Sequence, residues 1–422
     1  MKRTAIIGTG VAGLGCAHFL HKTRDLTLYE PNSHAGGHAH TVMITQNGRD
    51  LPVDTGFMVF NHVTYPTLTR LFNQLNVPCR PAPMSFSVHH GPSNVEFCGS
   101  SINHLFAQRK NIFKPRFWRM LLQINRFNSE AVAALEDFKV QSMTLQTYVE
   151  YRGYGRDFLE MYLIPMSAAV WSTPPSRMLE FPAITLLRFF HNHGFLGLHT
   201  QHPWFTVQGG AKAYVEKLIA PFKGAIQLHC GARLVQKSSE GVVVVDASGK
   251  TDVFEEVIFA CHADEALALL ANPDREESSL LGQFSYQPNV ALLHTDESVM
   301  PSSKRCWASW NYRVPSKQGH DTASSTIYWL NQLQAIPGPN QYFISINGES
   351  QVEPSRVLRR FIYHHPLFNL AAIKAQGSLA KLNQRSKAVF FCGSYFGHGF
   401  HEDALVSALN LCRMLTGEML LK

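Results

Sequence analysis

Apolar and polar positions in the first thirty residues follow a regular order. An apolar run over 4–7 predicts a strand, Gly8-Thr9-Gly10-Val11-Ala12-Gly13 predicts a tight turn that opens a helix, and a second apolar run over 26–29 predicts a strand that ends at Glu30. A strand, glycine turn, helix, strand and acid in this order are typical of a dinucleotide site.

Each position of the glycine turn has a physical role in such a site. Gly8 permits the tight turn, Gly10 lets the backbone approach a pyrophosphate, and Gly13 lets the helix pack closely on the strand. The first helical N–H groups, which include those of Val11 and Ala12, present a positive dipole to the anion. These five residues are therefore predicted to bind the cofactor.

Glu30 completes this pattern, about twenty residues after the turn. Its carboxylate can accept hydrogen bonds from a ribose 2′-hydroxyl. The same negative charge would repel a 2′-phosphate, so the sequence disfavours NADP at this site.

A secretory leader is the alternative interpretation of this start. Met1-Lys2-Arg3 precedes a mostly apolar run to Leu20, and Cys16 resembles a lipoprotein cleavage position. Glycines interrupt the run, and the strand before Glu30 needs it as a partner. We therefore expect the run to be part of the folded domain.

The same apolar periodicity places further elements along the chain and predicts an α/β fold with two domains. Further glycine turns follow at Gly36-Gly37, Gly56, Gly209-Gly210 and Gly393. Helices are predicted over 67–75, 211–219 and 402–415, with mainly helical structure over 102–188. Strands are predicted over 84–90, 242–245, 253–260, 289–295, 326–330, 342–346 and 388–392. We predict a discontinuous Rossmann-like dinucleotide-binding domain, formed by 1–75, 204–265 and 380–422, and an interleaved mixed-sheet and helical substrate domain, formed by 76–203 and 266–379.

Composition narrows the class of protein. The 422 residues are 45% hydrophobic, which is typical of a globular protein, and no apolar stretch reaches the length of a membrane span. The eight cysteines form no C-x-x-C pair or zinc spacing, which favours reduced thiols and a cytoplasmic location. The net charge of +7 allows an anionic membrane surface or an acidic substrate as partner, and we predict no nucleic-acid partner.

The positive charge is concentrated over residues 109–126, where Lys and Arg alternate with Phe, Trp, Leu and Ile. Two interpretations remain open for this stretch. It is either an ordinary helix with a solvated basic face, or an amphipathic helix in peripheral contact with an anionic membrane at the inner membrane face. Pro115 is expected in its first turn.

The glycine turns taken together resemble the FAD-binding fold shared by amine oxidases, phytoene desaturases and protoporphyrinogen oxidases. The resemblance rests on four separated segments: 8–30, 36–37, 230–235 with 257–260, and 393–408. It implies FAD as the cofactor. It also implies cofactor contacts at Gly36, Gly37, His38, Gly56, Ala232, Gly393, Ser394, His401, Glu402 and Ala404.

Two positions depart from the broader family. His38 stands where many relatives have an arginine, so a permanent cation near the pyrophosphate or flavin is replaced by a titratable one. Ser394 stands where the family usually has an aspartate, which replaces a charged acceptor with a hydroxyl. Backbone binding of the cofactor is unaffected by either change.

A narrower resemblance concerns the phrases Gly36 to Thr41, Ser309-Trp310-Asn311-Tyr312 and Gly399 to Asp403. They are similar to a bacterial group of predicted FAD/NAD-binding oxidoreductases, whose members are associated with fatty-acid-modifying methyltransferases of the cyclopropane-synthase type. This resemblance implies a fatty-acyl substrate.

The closing helix is the expected place of the chemistry. The resemblance implies that its N-terminus, near His401 and Glu402, stabilises negative charge on the reduced flavin. His401, His398 and Tyr395 are the catalytic candidates, and aromatic residues are expected to form a dry pocket. These aromatic residues are Trp171, Phe189, Phe190, Trp310, Tyr312, Tyr328, Trp329 and Tyr395.

A metal site at His34, His38 and His40 is the competing hypothesis, but no neighbouring acid or cysteine completes a ligand shell, so we predict none.

The leading functional prediction is an FAD-dependent oxidoreductase that abstracts hydride from a small hydrophobic or lipid substrate, with a fatty-acyl chain favoured. Three alternatives remain: a flavin-dependent double-bond isomerase of lipids, an amine oxidase, and a non-catalytic flavoprotein on a membrane surface. The oligomeric state stays open.

Overall fold

The computed structural model describes residues 1–197, 200–316 and 323–421. Its strands in chain order are β1 (Lys2–Ile7), β2 (Arg24–Tyr29), β3 (Thr41–Gln46), β4 (Arg49–Asp54), β5 (Phe60–Asn61), β6 (Cys79–Pro81), β7 (Phe86–His90), β8 (Val95–Cys98), β9 (Trp204–Val207), β10 (Ile226–Gln227), β11 (Ala232–Ser238), β12 (Gly241–Asp246), β13 (Thr251–Phe254), β14 (Glu256–Phe259), β15 (Ser285–His294), β16 (Trp310–Val314), β17 (Ser325–Trp329), β18 (Phe343–Ile346), β19 (Val357–Leu367) and β20 (Val389–Phe391).

The α-helices of the described residues, in the same order, are α1 (Val11–Leu20), α2 (Pro66–Gln74), α3 (Ile102–Leu105), α4 (Pro115–Ala134), α5 (Leu145–Arg152), α6 (Arg156–Phe158), α7 (Ile164–Trp171), α8 (Pro175–Met178), α9 (Ala183–Asn192), α10 (Lys212–Ile219), α11 (Ala263–Leu269), α12 (Arg275–Leu281), α13 (Leu330–Leu333), α14 (Leu370–Arg385) and α15 (His401–Thr416).

A parallel five-stranded sheet lies at the centre, in the order β10-β2-β1-β14-β20. Its strands come from three separated parts of the chain, and Ile7 pairs with both Tyr29 and Phe259 across β1. Residues of β1, β14 and β20 are buried on both faces, which explains their nearly continuous apolar runs. The carboxyl ends of these strands form the edge on which the predicted cofactor residues lie.

Helices α1 and α15 pack together on one face of this sheet. A Cβ at Gly15 would lie 3.0 Å from Cδ1 of Leu405 and 3.5 Å from Cβ of Ala408, so the missing side chain brings the two helices into close contact. The amino-terminal and carboxyl-terminal segments therefore share one core, as their apolar patterns predict.

A second, mixed sheet has the order β19-β15-β18-β17-β16-β7-β8. Strands β7 and β16 are parallel, and the other neighbours are antiparallel. Its strands come from 86–98 and 285–367, and a largely helical segment over 102–192 lies between these in the chain. The predicted fold class, a discontinuous Rossmann-like domain with an interleaved mixed-sheet and helical part, is confirmed.

The main differences from the sequence-based elements concern strands. Residues 253–260 do not form one run, because the chain leaves β13 of a three-stranded sheet at Phe254 and enters β14 of the central sheet at Glu256. Strands β16 and β19 were not predicted at all. In β19, half-buried and exposed positions alternate over Phe361–His365, but the exposed Ile362 is apolar and the His364-His365-Pro366 triplet ends in proline, so the sequence does not show the alternation. The closing helix begins at His401, one residue earlier than expected.

No helix among the residues that the structure describes is long and apolar enough to cross a membrane.

Candidate cofactor site and active site

The first glycine turn has the backbone geometry that its sequence predicts. Gly8 has a φ of +99°, and a Cβ there would lie 3.1 Å from the carbonyl oxygen of Ala260. A Cβ at Gly13 would lie 2.0 Å from the carbonyl oxygen of Gly8, which is far inside van der Waals contact. A Cβ at Gly10, by contrast, would meet no described atom within 4 Å. Gly8 and Gly13 are thus required by the fold, whereas the missing side chain of Gly10 leaves open space beside the turn. We call this open space the cradle.

This cradle lies at the N-terminus of α1, where an anion is favoured. Gly10 is the N-cap and offers no side-chain acceptor to the helix. The N–H groups of Val11, Ala12 and Gly13 therefore have no partner within the helix, because the first intrahelical bond is donated by Leu14 to Gly10 at 2.9 Å. The orphaned N–H groups and the open cradle fit the pyrophosphate of a dinucleotide.

Glu30 is buried at the end of β2 and already accepts four hydrogen bonds. Thr9 donates its N–H and its hydroxyl to Oε2, at 3.2 and 2.5 Å, and Asn32 donates its N–H and its side-chain amide to Oε1, at 2.9 and 2.7 Å. These donors occupy the accepting capacity of a carboxylate. The ribose contact of Glu30 stays a prediction, and a ribose hydroxyl at this carboxylate would have to replace one of these donors.

Ala232, the other residue predicted on this side, begins β11. It lies two residues after Cys230, which pairs with Glu30 in an isolated β-bridge.

The second glycine turn packs directly on the first. Gly36 donates its N–H to the carbonyl of Thr9 at 2.9 Å. Gly37 has a φ of +58°, and a Cβ there would lie 3.0 Å from Cα of Gly10. A Cβ at Gly56 would lie 2.3 Å from the carbonyl oxygen of His38, so this glycine lets the backbone after β4 pass His38. The three turns build one wall at the edge of the central sheet.

His38 follows the second glycine turn and lies among other histidines. Its ring centroid is 5.5 Å from that of His365 and 6.3 Å from that of His262; we call these three residues the histidine cluster. Nε2 of His38 is buried and has no hydrogen-bond partner among the described residues. Burial, and then the neighbouring histidines, lower the pKa of His38 well below its usual value. In the tautomer that carries its proton on Nε2, this unpartnered ring nitrogen can donate to an anionic ligand.

The histidine cluster is supported by strand β19. Tyr363 and His365 lie two residues apart on the same side of this strand, and the Tyr363 ring centroid is 5.2 Å from that of His38. Burial and the nearby histidines lower the pKa of His365 to about 4. The Tyr363 hydroxyl hydrogen-bonds Nδ1 of His40 at 2.8 Å and the Thr55 hydroxyl at 2.6 Å.

The phrase Tyr363 to Phe368 also fits the narrower bacterial group, but the sequence predicted no site role for Tyr363, His365 or His262. The alternation of Phe361, Tyr363 and His365 along the chain was the signal that could have found two of them. The signal for His262 is its position just after the buried β14, at the carboxyl edge of the sheet.

The three amino-terminal histidines of the metal hypothesis do not act as a set. His34 and His40 stack on each other with ring centroids 4.1 Å apart, whereas His38 contacts Tyr363 and His365. The described residues contain no group of three or more ligands that could hold a metal ion.

The start of α15 is the second part of the site. His401 stacks on Phe57 with ring centroids 3.9 Å apart, and its Nε2 is hydrogen-bonded to the Tyr214 hydroxyl at 2.8 Å. Burial lowers the pKa of His401 to about 3, so its ring is neutral at physiological pH. These contacts join three residues that are far apart in the sequence: Phe57 after β4, Tyr214 in α10 and His401 in α15.

Two carboxylates of this helix start are held by the backbone. Glu402 accepts hydrogen bonds from the N–H groups of Thr67 and Leu68, at 2.7 and 2.9 Å, and so caps α2. Asp403 accepts from the N–H of Phe400 at 2.9 Å, as part of the capping box of α15. The carboxylate of Glu402 therefore has a structural partner, and the predicted cofactor contact of Glu402, through the N–H groups at the helix start, stays a prediction.

The segment between β20 and α15 carries the two remaining catalytic candidates, His398 and Tyr395. Nδ1 of His398 is buried without a hydrogen-bond partner among the described residues, and its carbonyl accepts from the Trp171 indole at 3.2 Å. Tyr395 lies in a hydrophobic core, where its ring contacts Phe284 and Phe396. The Tyr395 ring therefore packs in the hydrophobic core that adjoins this loop, and its catalytic role stays a prediction.

Gly393 and Ser394 form the turn between β20 and this loop. Gly393 has its N–H bonded to the Ser407 hydroxyl at 2.8 Å, and the Ser394 carbonyl accepts from Gly397 and Gly399 at 3.1 and 3.2 Å. Ala404 is buried in the first turn of α15 and donates to the carbonyl of Phe400. Small residues here keep the helix start close to the ends of β14 and β20.

Comparison with known proteins agrees with this geometry. The sequence profile of the flavin containing amine oxidoreductases matches residues 11–361, which is most of the chain. The chain belongs to this family. Its cofactor is therefore FAD, and it is an FAD-dependent oxidoreductase. No curated protein sequence matches it.

Solved structures share its fold at low sequence identity. A double mutant of putrescine oxidase has a TM-score of 0.69 at 10% identity, over 99% of both chains. The CLA-producing fatty acid isomerase from P. acnes has a TM-score of 0.70 at 13% identity, over 98% of this chain and 99% of that one. Cyclohexylamine oxidase from Brevibacterium oxydans IH-35A has a TM-score of 0.68 at 13% identity over the same shares. At these identities the likeness establishes the fold, and substrates differ among proteins that share it.

Proposed function

We propose that this flavoenzyme oxidises the acyl chain of a hydrophobic substrate, by abstraction of hydride and formation of a double bond or a further oxidised product. The observation that carries the proposal is an aromatic wall at the start of α15. Ring centroids of Phe189 and Phe400 are 5.1 Å apart, and those of Trp171 and Phe400 are 6.0 Å apart. The Trp171 indole is held by the carbonyl of His398 in the loop before α15. Such a wall favours an apolar substrate and excludes water.

The carboxylates of this region support the same substrate class. Glu402 and Asp403 are bonded to backbone N–H groups, and Asp54 accepts from the Ala211 N–H at 2.8 Å and the Thr41 hydroxyl at 2.5 Å. A protonated amine buried beside the aromatic wall would need a free anionic partner, because an unpaired buried cation is costly. Each of these three carboxylates already accepts at least one hydrogen bond from a described residue, so a substrate cation would compete with these donors. An uncharged acyl chain has no such requirement.

The histidines of the loop have separable roles in this proposal. FAD, when bound, supplies the acceptor for the hydride. Formation of a double bond also releases a proton from the neighbouring carbon, and we assign His398 to accept it, because its Nδ1 is buried without a described partner. His401 stays neutral and is oriented by Phe57 and Tyr214, so it adds no charge to the pocket.

The test is anaerobic reduction of the purified holoenzyme by saturated, methylated and unsaturated fatty-acyl substrates, with putrescine as the amine control. We expect loss of the visible flavin absorbance with an acyl substrate and a product lighter by two hydrogens in mass spectrometry. A product of unchanged mass would instead identify a double-bond isomerase; the P. acnes protein of similar fold is a CLA-producing fatty acid isomerase. Reduction by the amine alone would overturn the proposal.

Two matched variants of the wall sharpen this test. Phe400→Leu keeps the wall apolar and should change the rate of flavin reduction little, whereas Phe400→Asp adds a free carboxylate and should abolish reduction by acyl substrates. His398→Gln should slow reduction by about a hundredfold, since general-base catalysis contributes about 10² or more. If His398→Gln reduces the flavin at the normal rate, the proton is accepted elsewhere.

A further inference from the structure

A surface on the far side of the helical segment carries apolar side chains that the proposed chemistry does not use. It comprises the 3₁₀ turn Arg109–Phe113 and the outward side of the first two turns of α4. Inward residues of α4, such as Phe117 and Met120, are fully buried. Outward residues are exposed: Phe113 by 85%, Leu122 by 67%, Trp118 by 45% and Ile112 by 41%. We call this region the 110–122 surface.

Trp118 and Leu122 lie one helical turn apart on α4, so they form one stripe. The Trp118 ring is fixed in its exposed position, because its indole N–H donates to the carbonyl of Ile112 at 2.8 Å and its ring centroid is 5.3 Å from that of Phe106. The same hydrogen bond joins the stripe to the turn that carries Phe113. Adjacent large apolar side chains held in solvent mark an interaction surface.

The stretch of chain that carries these side chains has charges of one sign. Residues 97–129 contain six Lys or Arg and no Asp or Glu. Arg116 and Arg126 form ion pairs with Asp157 and Glu130, but Lys110, Lys114 and Arg119 have no carboxylate within ion-pair distance among the described residues. Burial, together with the nearby Lys110 and Arg116, lowers the pKa of Lys114. The surface is therefore positively charged.

We propose that the 110–122 surface binds an anionic lipid bilayer, with its apolar side chains inserted at the level of the headgroups. Lys110 and Lys114 flank Ile112 and Phe113 in the chain, so the ammonium groups can reach phosphate while the apolar side chains enter the acyl boundary. Phe113 projects from the turn, which suits insertion into a deformable layer better than a fit into a rigid protein groove. Trp and Phe are also the residues enriched at membrane interfaces.

The bilayer would be the source of the acyl substrate, and only this last step rests on the proposed function. Vesicle binding by the holoenzyme can be measured without turnover. Failure of one proposal is therefore distinguishable from failure of the other.

The experiment is co-sedimentation of the holoenzyme with phosphatidylcholine vesicles that do or do not contain phosphatidylglycerol. We expect binding to the anionic vesicles and its loss at high salt. Phe113→Ser with Leu122→Ser should weaken binding by about tenfold for each side chain removed. Phe138→Ser is the matched control, since Phe138 is 82% exposed but lies beyond the other end of α4, and it should bind normally.

Charge reversal tests the electrostatic part. Lys110→Glu with Lys114→Glu should weaken binding to anionic vesicles by at least about tenfold, while Lys374→Glu with Lys381→Glu on the exposed side of α14 should have little effect. Reduction of the flavin by a water-dispersed substrate should be unchanged in all four variants. The proposal would be overturned if the holoenzyme did not sediment with anionic vesicles or bound neutral vesicles equally well. It would also be overturned if Phe113→Ser with Leu122→Ser changed the oligomeric state, because the surface would then contact a second copy of the chain.

Discussion

The glycine turns and the histidine cluster lie on the same edge of the central sheet, but they are specified in different ways. The turns depend on backbone geometry within 8–13 and 36–37, where a side chain would collide with a carbonyl or a neighbouring Cα. The cluster depends on side chains from three distant segments, which carry His38, His262 and His365. The glycine turns are therefore specified by residues close together in the chain. The histidine cluster, which can change its charge by protonation, is assembled only by the tertiary fold.

The largest expected effect separates two glycines within the first turn. Gly13→Ala places a Cβ 2.0 Å from the carbonyl oxygen of Gly8, and the strand and helix must move apart. We expect a loss of about 3 kcal/mol or more in the free energy of unfolding, and little FAD in the purified protein. Thermal unfolding and the flavin absorbance measure both effects.

Gly10→Ala is the control for this prediction. Its Cβ enters open space in the cradle and meets no described atom within 4 Å. The free energy of unfolding of the apoprotein should change little, while FAD affinity falls by about tenfold or more, equivalent to roughly 1.4 kcal/mol. Equal destabilisation by both substitutions would show that the turn does not separate fold from binding in this way.

The histidine cluster predicts that FAD binding depends on pH. The pKa values of His38, His262 and His365 are lowered chiefly by burial, so these three rings are uncharged at pH 7 before FAD binds. The other groups that lower the pKa of His38 are His364 and His401, which are also titratable bases. A diphosphate near the cluster would raise these pKa values on binding, so FAD binding takes up protons. FAD affinity should then fall as pH rises, by up to about tenfold per pH unit for each proton taken up.

His38→Arg breaks this dependence at one position. The arginine supplies a permanent cation, so the pH dependence of FAD dissociation should become shallower, whereas His38→Gln should weaken binding with no gain in charge. The measurement is the rate at which FAD fluorescence appears after dilution, between pH 6 and 8. A profile for His38→Arg as steep as that of the wild type would place the proton uptake outside the cluster.

The smallest expected effect concerns Glu402, whose carboxylate caps α2. Glu402→Gln keeps the shape but replaces one accepting oxygen with an amide NH2, which cannot accept, so one of the two bonds from the start of α2 is lost and the free energy of unfolding should fall by about 1 kcal/mol. FAD affinity should be unaffected, since the backbone N–H remains. Calorimetry and FAD titration of the same variant report the two quantities, and a selective loss of FAD affinity would show that the carboxylate itself contacts the cofactor.

Much of the fold followed from local patterns. The helices over Pro66–Gln74 and Lys212–Ile219, and the strand Val389–Phe391, lie within one or two residues of their predicted bounds, because apolar periodicity and glycine act over short distances. Strand β19 was missed because its pairing with β15 decides its structure, against a triplet that ends in proline. The break between β13 and β14 was missed because it depends on which sheet each half joins.

The sequence by itself determined the glycine turns, the acid after β2 and the order of segments that assemble the FAD-binding fold, because these are encoded by residues close together in the chain. Tertiary structure decided the partners of the side chains. It bonded Glu30 to Thr9 and Asn32, and the Glu402 carboxylate to the start of α2. It also brought His262 and His365 to His38. The physical reason is that hydrogen bonds and burial act on whatever the fold brings within a few ångströms, and separation along the chain does not report that distance.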